Sequence, residues 1–561
     1  MIDQVLFDTA EVCYLKGIQN VILSPGSRNA PLTISFSRHP GLKIFSIVDE
    51  RSAGFIALGM AQSSKTPSVI CCTSGTALLN YLPAIAEAYY QQNPIIVISA
   101  DRPPEWINQR DGQTIEQSRV TDNFTKGFFQ MPVDLSHKDA AWEYTRKLNE
   151  AINLSNAYPK GPVHINIPFR EPFYPSNDQK LSYSQDITII ESVIDSYSPV
   201  VPVGLIEAWK KYSNKLILIG QHEPDSTLKN QLVNLSKKEG IPIITDVISN
   251  LNHDVFIKYH DHYLGKLNPA ILDTLKPGLL ITGGKSIISK SLKHFLRRFK
   301  PEQHWHFEEG NQIADTYQSM THRVNYPIKE LIQNITGTKS PDTTQLKYLE
   351  SWQKFERTYS NNLEKVRDEA FSEYVASYHI ANSIPSEYSL HLANSMPVRY
   401  ANLVRKNHPD IQVFCNRGTS GIDGTNGAAV GDALLKNGGV VLWTGDLSFF
   451  YDRNAFFHHH DLKNLRIIVI NNQGGGIFRL IDGPKSLPEL EGYFETRHNH
   501  STKSMASEFG FEYHSADDLK SLEEGLDQLF NKKNNKKILE VFTEPSINET
   551  VYNKIKNLTY E

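Results

Sequence analysis

The sequence has few cysteines, no excess of basic charge and no long hydrophobic run. Only Cys13, Cys71, Cys72 and Cys415 occur in 561 residues. None of their spacings matches a metal-ligand pattern, which excludes a disulfide scaffold and a cysteine-built metal centre. Cys71 and Cys72 are adjacent in an apolar strand pattern and would face opposite sides of a sheet, which suits reduced, structural thiols. With 58 Lys and Arg against 62 Asp and Glu the net charge is −4. The basic residues are scattered, which excludes a general polyanion-binding surface and, with it, nucleic acid as a partner. No apolar segment reaches the length of a membrane span. The stretch MIDQVLFDTAEVC opens with acidic residues in a helix-like pattern, without the basic region and apolar stretch of a secretory signal. A cytoplasmic protein with no membrane partner is therefore expected.

A chain of this length exceeds what one hydrophobic core supports. Three α/β segments are legible, each alternating short apolar strands with helical stretches. The first, residues 1–185, has the strands NVILSPG, KIFSIVDE, SVICCTSG, NPIIVISAD and GPVHINIP. The second, 186–348, follows the polar stretch PSNDQKLSYSQD and contains KLILIG, IPIITDV, GLLITGG and QHWHFEE. The third, 349–561, follows TGTKSPDTTQ and contains SLHLANS, QVFCNRG, GVVLWTG, RIIVIN and KILEVF. The expected architecture is three parallel sheets, each flanked by helices. Gly283-Gly284 follows a strand in the middle segment, but the full GxGxxG fingerprint is missing, so neither a dinucleotide nor a flavin is expected there. No short-period repeat is present.

One stretch carries the densest chemical signal. GGVVLWTG reads as a buried parallel strand whose carboxyl end delivers Asp446, YDRNAFFHHHDLKN has helical length, and LRIIVINN is a second buried strand ending at Asn472. A right-handed βαβ crossover brings both strand ends to one sheet edge, where open α/β folds bind ligands. A carboxylate, an amide oxygen and a glycine-rich turn, Gly474-Gly475-Gly476, then make an all-oxygen site for Mg²⁺ that also holds phosphate. An ordinary βαβ unit with a capping Asp and a turn would show the same local pattern. The run His458-His459-His460 is not expected to bind metal, since consecutive helical residues project about 100° apart.

The spacing of Asp446 and Asn472, 472 − 446 = 26 residues, resembles the motif that anchors Mg²⁺ and diphosphate in thiamine diphosphate enzymes, although Leu447 replaces the Gly that many of them carry. The motifs SPGSRNAPL, FSIVDERSAGFIALGMA, TSGTA, ADRPPE and DGQTIEQ, followed by NSMPVR, NRGTSGIDG, GDLSFFYD and NNQGGGIF, occur in the order of one family. Together they resemble the 2-succinyl-5-enolpyruvyl-6-hydroxy-3-cyclohexene-1-carboxylate synthases of menaquinone biosynthesis over nearly the whole chain. That family also has Leu after the metal-site Asp. The resemblance implies a three-domain thiamine diphosphate-binding fold: an N-terminal pyrimidine-binding domain, a central Rossmann-like domain and a C-terminal diphosphate-binding domain. It also implies a transferase that decarboxylates 2-oxoglutarate and adds the succinyl carbanion equivalent to isochorismate, working as a homodimer or dimer of dimers.

By family position, Glu50 is the acid facing the aminopyrimidine ring, and Ser74, Gly75 and Thr76 line that end of the cofactor. The metal set is Asp446, Asn472 and the Gly474 carbonyl, for Mg²⁺ or Mn²⁺. Gly421, Ile422, Gly445, Leu447, Ser448, Gly476, Ile477 and Phe478 complete the cofactor cradle, with Ile422 as the bulky residue beneath it. Ser27, Arg28, Arg102, Gln113, Lys290, Ser395, Arg399 and Arg417 are the implied substrate-binding residues, with Glu50, Gln113, Arg399 and Arg417 counted as catalytic. Guanidinium groups suit the carboxylate-rich substrates because they pair with carboxylates bidentately. On local grounds alone, Glu50 also reads as a helix-start residue favoured by the macrodipole, and each Arg as a surface charge. The competing readings are another thiamine diphosphate carboligase, a 2-oxoacid decarboxylase, or a catalytically silent cofactor-binding regulator.

Overall fold

The structure, a computed structural model, describes residues 3–176, 179–192, 201–310, 312–335, 342–404, 411–481, 483–531 and 535–558. Apolar runs buried on both faces form the middles of three sheets, and every strand pairing is parallel. The first sheet comprises β1 (Asn20–Leu23), β2 (Lys43–Ser46), β3 (Ser68–Cys72), β4 (Ile95–Asp101), β5 (Phe128–Gln130) and β6 (Val163–Pro168), ordered β2-β1-β3-β4-β6-β5. The central sheet comprises β7 (Lys215–Ile219), β8 (Ile243–Thr245), β9 (Leu279–Gly283), β10 (Gln303–Phe307) and β11 (His322–Val324), ordered β11-β10-β9-β7-β8. The third comprises β12 (Ser389–Leu392), β13 (Gln412–Cys415), β14 (Val440–Gly445), β15 (Leu465–Asn471), β16 (Glu512–Ala516) and β17 (Lys537–Phe542), ordered β13-β12-β14-β15-β17-β16. Counted from its own first strand, the third sheet has the same order as the first. The two outer layers thus share one topology, a relation that no sequence period discloses.

Seven helices position the site: α1 (Glu50–Ser64), α2 (Lys290–Arg298), α3 (Thr343–Glu364), α4 (Glu373–Ser383), α5 (Met396–Val404), α6 (Thr425–Leu435) and α7 (Asp446–Tyr451). Helices α1 and α6 occupy equivalent places in the outer layers, and they pack on each other. Their approach is backbone to backbone. A Cβ at Gly59 would lie 2.0 Å from the Ala428 carbonyl oxygen, and one at Gly431 would lie 2.1 Å from that of Ile56. One apolar core therefore runs unbroken from Ile56 and Leu58 through Ala429 and Val430 to Leu442 and Ile467. Polar contacts continue the junction: Asn454 Nδ2 donates to Asp49 Oδ2 at 2.7 Å, and Arg51 Nη2 to the Tyr451 carbonyl at 2.7 Å.

The segment expected as the first linker stays against the first layer where it is described. Tyr183 stacks on Phe7 with centroids 4.6 Å apart, and the Ile190 N–H donates to Asn149 Oδ1 at 2.8 Å. Residues 177–178 of that stretch, and 336–341 of the second, lie outside the described residues. Residue 348 falls inside α3. This helix ties to the central layer through Gln345 Nε2 to the Gly240 carbonyl (3.1 Å) and Tyr348 Oη to the Leu275 carbonyl (2.8 Å). Its far end reaches the third layer, where Tyr359 Oη donates to the Ile555 carbonyl at 3.4 Å.

The expected helix over YDRNAFFHHHDLKN is corrected. Helix α7 ends at Tyr451, the first residue of that stretch, and within the rest of it only a 3₁₀ turn, Arg453–Phe456, forms. Asp452 explains the break: its carboxylate is drawn into the core, where Oδ2 accepts the Gly427 N–H at 3.1 Å, and burial raises its pKa to about 7. Beyond the turn, His460 Nε2 accepts the Ser46 N–H at 3.1 Å, so the histidine run folds back on β2 as an irregular segment.

Candidate functional site

The carboxyl ends of β14 and β15, neighbours in the third sheet, bring Asp446 and Asn472 together. Both side-chain oxygens converge on one donor: the Gly474 N–H reaches Asp446 Oδ2 at 3.0 Å and Asn472 Oδ1 at 3.1 Å. Asp446 Oδ1 accepts the Leu447 N–H at 2.7 Å, and Asp446 and Asn472 are both buried. The Gly474 carbonyl lies in the same turn and accepts the Gly476 N–H at 3.0 Å. Carboxylate, amide and carbonyl oxygens are the donors a small hard divalent ion takes, so the residues present fit Mg²⁺. Ser448 Oγ donates to the Ile422 carbonyl at 2.6 Å and fixes the Gly421-Ile422 turn beside this corner, leaving the Ile422 side chain 42% exposed. Gly445 ends β14. Ile477 and Phe478 are half-buried at the start of the following short helix, where Phe478 packs on Phe494.

Two residues of this corner carry no sequence signal. Glu373, the first residue of α4, is buried, and its Oε1 accepts from Asn472 Nδ2 at 2.5 Å. Burial raises its pKa to about 7, against the hydrogen bond from Asn472, while the Asp446 charge adds to the rise. His498 Nε2 stands 3.3 Å from Asp446 Oδ2. Neither FSEYVA nor TRHNHS has a spacing that links it to Asp446.

The other group of expected residues lies on the equivalent edge of the first sheet. Glu50 opens α1 behind its N-cap Asp49, whose Oδ1 accepts the Ser52 N–H at 3.0 Å. Burial, aided by the Asp49 charge, raises the Glu50 pKa even though its own backbone amide opposes the rise. The turn after β3 is braced by the loop holding Gln113. Ser74 Oγ donates to the Gln113 carbonyl at 2.9 Å, and the Gly75 N–H to Gln117 Oε1 at 2.7 Å. Gly75 has φ +91°, a conformation that side chains with a Cβ rarely adopt, and this favours glycine there. Ser27, Thr76 and Gln113 are exposed. Arg102 joins the same loop, with Nη2 donating to the Gly112 carbonyl at 2.5 Å and Nε 3.0 Å from Asp111 Oδ2. Arg28 is buried; its Nη1 donates to the Phe169 carbonyl at 2.9 Å and its guanidinium covers the Phe173 ring.

A third cluster lies where the central and third layers meet. Arg399 Nη1 donates to the Ser395 carbonyl at 2.5 Å, and Arg417 Nη1 to Asn394 Oδ1 at 2.9 Å. Arg417 Nε is buried and, among the described residues, has no hydrogen-bond partner. Burial lowers the Arg399 pKa and the Arg417 charge lowers it further, so the two cations share one field. Lys290 does not join them. It is exposed at the first turn of α2, whereas Lys293, one turn on, lines a 370 Å³ cavity with Arg417, Ser286 and Tyr317. Gln113, Ser395, Ser420 and Gln473 all hold positive φ, at +55°, +72°, +63° and +64°. Such left-handed non-glycine residues concentrate where structure over-determines a site. Among the described residues no hydrogen bond or ion pair joins Glu50 to Asp446 or Asn472.

Comparison with known proteins identifies these layers. Residues 5–130 match the N-terminal TPP binding domain of thiamine pyrophosphate enzymes, and residues 198–392 match the middle domain of thiamine pyrophosphate enzymes. The chain is 42% identical over 557 residues to the 2-succinyl-5-enolpyruvyl-6-hydroxy-3-cyclohexene-1-carboxylate synthase of Cytophaga hutchinsonii, covering 99% of this chain and 98% of that protein. Its identity to the synthase of Flavobacterium johnsoniae is 40%, covering 98% of each. With the synthase of Porphyromonas gingivalis it is 37%, over 96% of this chain and 94% of the other. The chain belongs to this synthase family. As a member it is a thiamine diphosphate enzyme. Among the described residues, no helix of this synthase is long and apolar enough to cross a membrane.

Proposed function

We propose that the chain is a 2-succinyl-5-enolpyruvyl-6-hydroxy-3-cyclohexene-1-carboxylate synthase in activity as well as in family. It decarboxylates 2-oxoglutarate and adds the succinyl carbanion equivalent to isochorismate, with thiamine diphosphate and Mg²⁺, in menaquinone biosynthesis. The observation that carries this reading is the convergence of Asp446 Oδ2 and Asn472 Oδ1 on the single Gly474 amide. It supports an oxygen-lined metal corner at the sheet edge that a diphosphate needs. When bound, the thiazolium supplies the electron sink for decarboxylation and carbon–carbon bond formation.

The chain's own residues do the rest. Asp446, Asn472 and the Gly474 carbonyl hold the ion, and Ile422 presents an apolar surface beneath the cofactor. Glu50, its pKa raised by burial, holds a proton toward the aminopyrimidine ring. Arg399 and Arg417 receive the carboxylates of 2-oxoglutarate, with Lys293 in the position expected of Lys290. Ser27, Arg28, Arg102 and Gln113 receive isochorismate. Because Glu50 and the Asp446 corner lie on separate edges, we assign the working unit to a homodimer in which each cofactor lies between the first layer of one copy and the third layer of the other. Val48, Ile422 and Tyr451, 54%, 42% and 55% exposed beside the two groups, support an apolar contact there. The divisions near 185 and 348 and a cytoplasmic location belong to the same reading.

The test is turnover by purified protein. Product formation should require thiamine diphosphate, Mg²⁺, 2-oxoglutarate and isochorismate together. Consumption of 2-oxoglutarate at an undiminished rate without isochorismate, with succinic semialdehyde as the product, would instead make the protein a 2-oxoacid decarboxylase.

A further inference from the structure

Asn472 can serve a cation only in one of its two amide orientations, because its oxygen and nitrogen differ in kind while occupying nearly the same space. Two neighbours discriminate between them. Gly474 offers an N–H, 3.1 Å from Oδ1, and Glu373 offers a carboxylate oxygen, 2.5 Å from Nδ2. Rotating the amide by half a turn would set two donors against each other at Gly474 and two acceptors against each other at Glu373.

Glu373 is held as firmly as the group it holds. Its backbone N–H donates to Asn548 Oδ1 at 2.8 Å, and only 2% of the residue is exposed. The opposite side of the amide is closed as tightly, since a Cβ at Gly476 would come 2.4 Å from Asn472 Nδ2. The amide is therefore clamped between α4 and the glycine turn.

We infer that Glu373 is a positioning residue that locks the Asn472 amide with its oxygen beside Asp446, so that the metal corner is set before any cation arrives. This rests on the proposed metal role of Asp446 and Asn472, and it adds a residue that touches neither metal nor cofactor.

Mn²⁺ provides the readout, through its electron paramagnetic resonance signal, titrated into the full-length protein with thiamine diphosphate present. In Glu373→Gln the side-chain carbonyl still accepts from Asn472 Nδ2, and Mn²⁺ affinity should stay within about threefold. In Glu373→Leu the space is filled but the acceptor is gone, and affinity should fall about ten- to a hundredfold. A role in packing alone predicts the reverse ranking, with leucine tolerated. Equal loss in both variants, or no loss in leucine, overturns the inference. Gly476→Ala displaces the amide from the other side and should weaken Mn²⁺ similarly; wild-type affinity there also counts against the clamp. If the wild-type protein takes up no Mn²⁺ in a cofactor-dependent way, the metal corner itself fails, an outcome distinct from a clamp that makes no difference.

Discussion

Alanine at Gly59 tests the junction on which both outer layers depend. The added Cβ would start 2.0 Å from the Ala428 carbonyl oxygen and 2.7 Å from that residue's carbonyl carbon and Cα. Carbon and oxygen settle at about 3.3 Å, so α1 and α6 must part by about 1.3 Å. The obstacle is helix backbone, which cannot rotate aside as a side chain can. Overpacking of this kind costs about 1–3 kcal/mol, and a rigid neighbour puts Gly59 near the upper end. Alanine also favours the helix over glycine by about 1 kcal/mol, leaving a net loss of about 2 kcal/mol. Gly204, in the helix Val203–Lys211, is the matched control, because a Cβ there meets nothing within 4 Å. The same substitution at Gly204 should stabilise by about 0.4–1 kcal/mol. Urea unfolding followed by circular dichroism should show the Gly59→Ala midpoint lowered and the Gly204→Ala midpoint raised. Shifts of the same sign, or no loss at Gly59, would refute the close-approach argument.

The remaining expectations concern the site and pH. Asp446→Ala should leave the protein folded but weaken Mg²⁺-dependent thiamine diphosphate binding by calorimetry; unchanged affinity removes Asp446 from the metal corner. Glu50→Gln should keep the cofactor yet slow deuterium exchange at its thiazolium C2, since an amide cannot lend the proton an acid can, and wild-type exchange would reject that role. Arg28→Ala or Arg102→Ala should lose about 1.5–3 kcal/mol in the use of isochorismate, roughly ten- to more than a hundredfold. Arg399→Ala should instead impair the step with 2-oxoglutarate, and equal defects in both steps for all three would sink the divided assignment. Burial lowers the pKa of His164, held between Ser99 Oγ and Thr121 Oγ1, from 6.5 to about 3. The unfolded chain therefore takes up a proton that the folded one refuses, so this contribution is complete above pH 6.5 and falls away as pH drops toward 3, by on the order of a few kcal/mol. Asp101 in the same network, raised to about 6 by burial, acts with the opposite sign. The measurement is thus the difference between wild type and His164→Asn across that window, and an unchanged slope would contradict the assignment.

The parts legible from sequence are those where burial is two-sided. Inner strands such as Ile95–Asp101 and Leu465–Asn471 are continuous apolar runs and stand out. The strands that sequence reading passes over, Phe128–Gln130, His322–Val324 and Glu512–Ala516, each lie at a sheet edge, where one flank faces no partner and polar residues suffice. The pairing of Asp446 with Asn472 was readable because adjacent parallel strands end together. Glu373 was not, because it reaches Asn472 from α4, 99 residues away, through a contact that only tertiary packing makes. Lys290 and Lys293 were indistinguishable in a lysine-rich stretch until the helix phase turned one outward and the other toward Arg417.

The shared strand order of the outer layers gives their chemistry a common address. The second strand of each layer ends in a turn that starts the crossing helix, and at that address one layer carries the acid Glu50 while the other carries the hydrocarbon Ile422. The third strand ends in the hydroxyl-bearing turn Ser74-Gly75-Thr76 in one layer and in the carboxylate Asp446 in the other. One backbone plan has therefore been fitted twice with unlike side chains, and α1 and α6, the helices at the same place in each plan, meet at a glycine-lined crossing. Because Gly59 and Gly431 bring α1 and α6 backbone to backbone, neither helix can tilt without displacing the other, so the turns that lead into them are tied to one crossing.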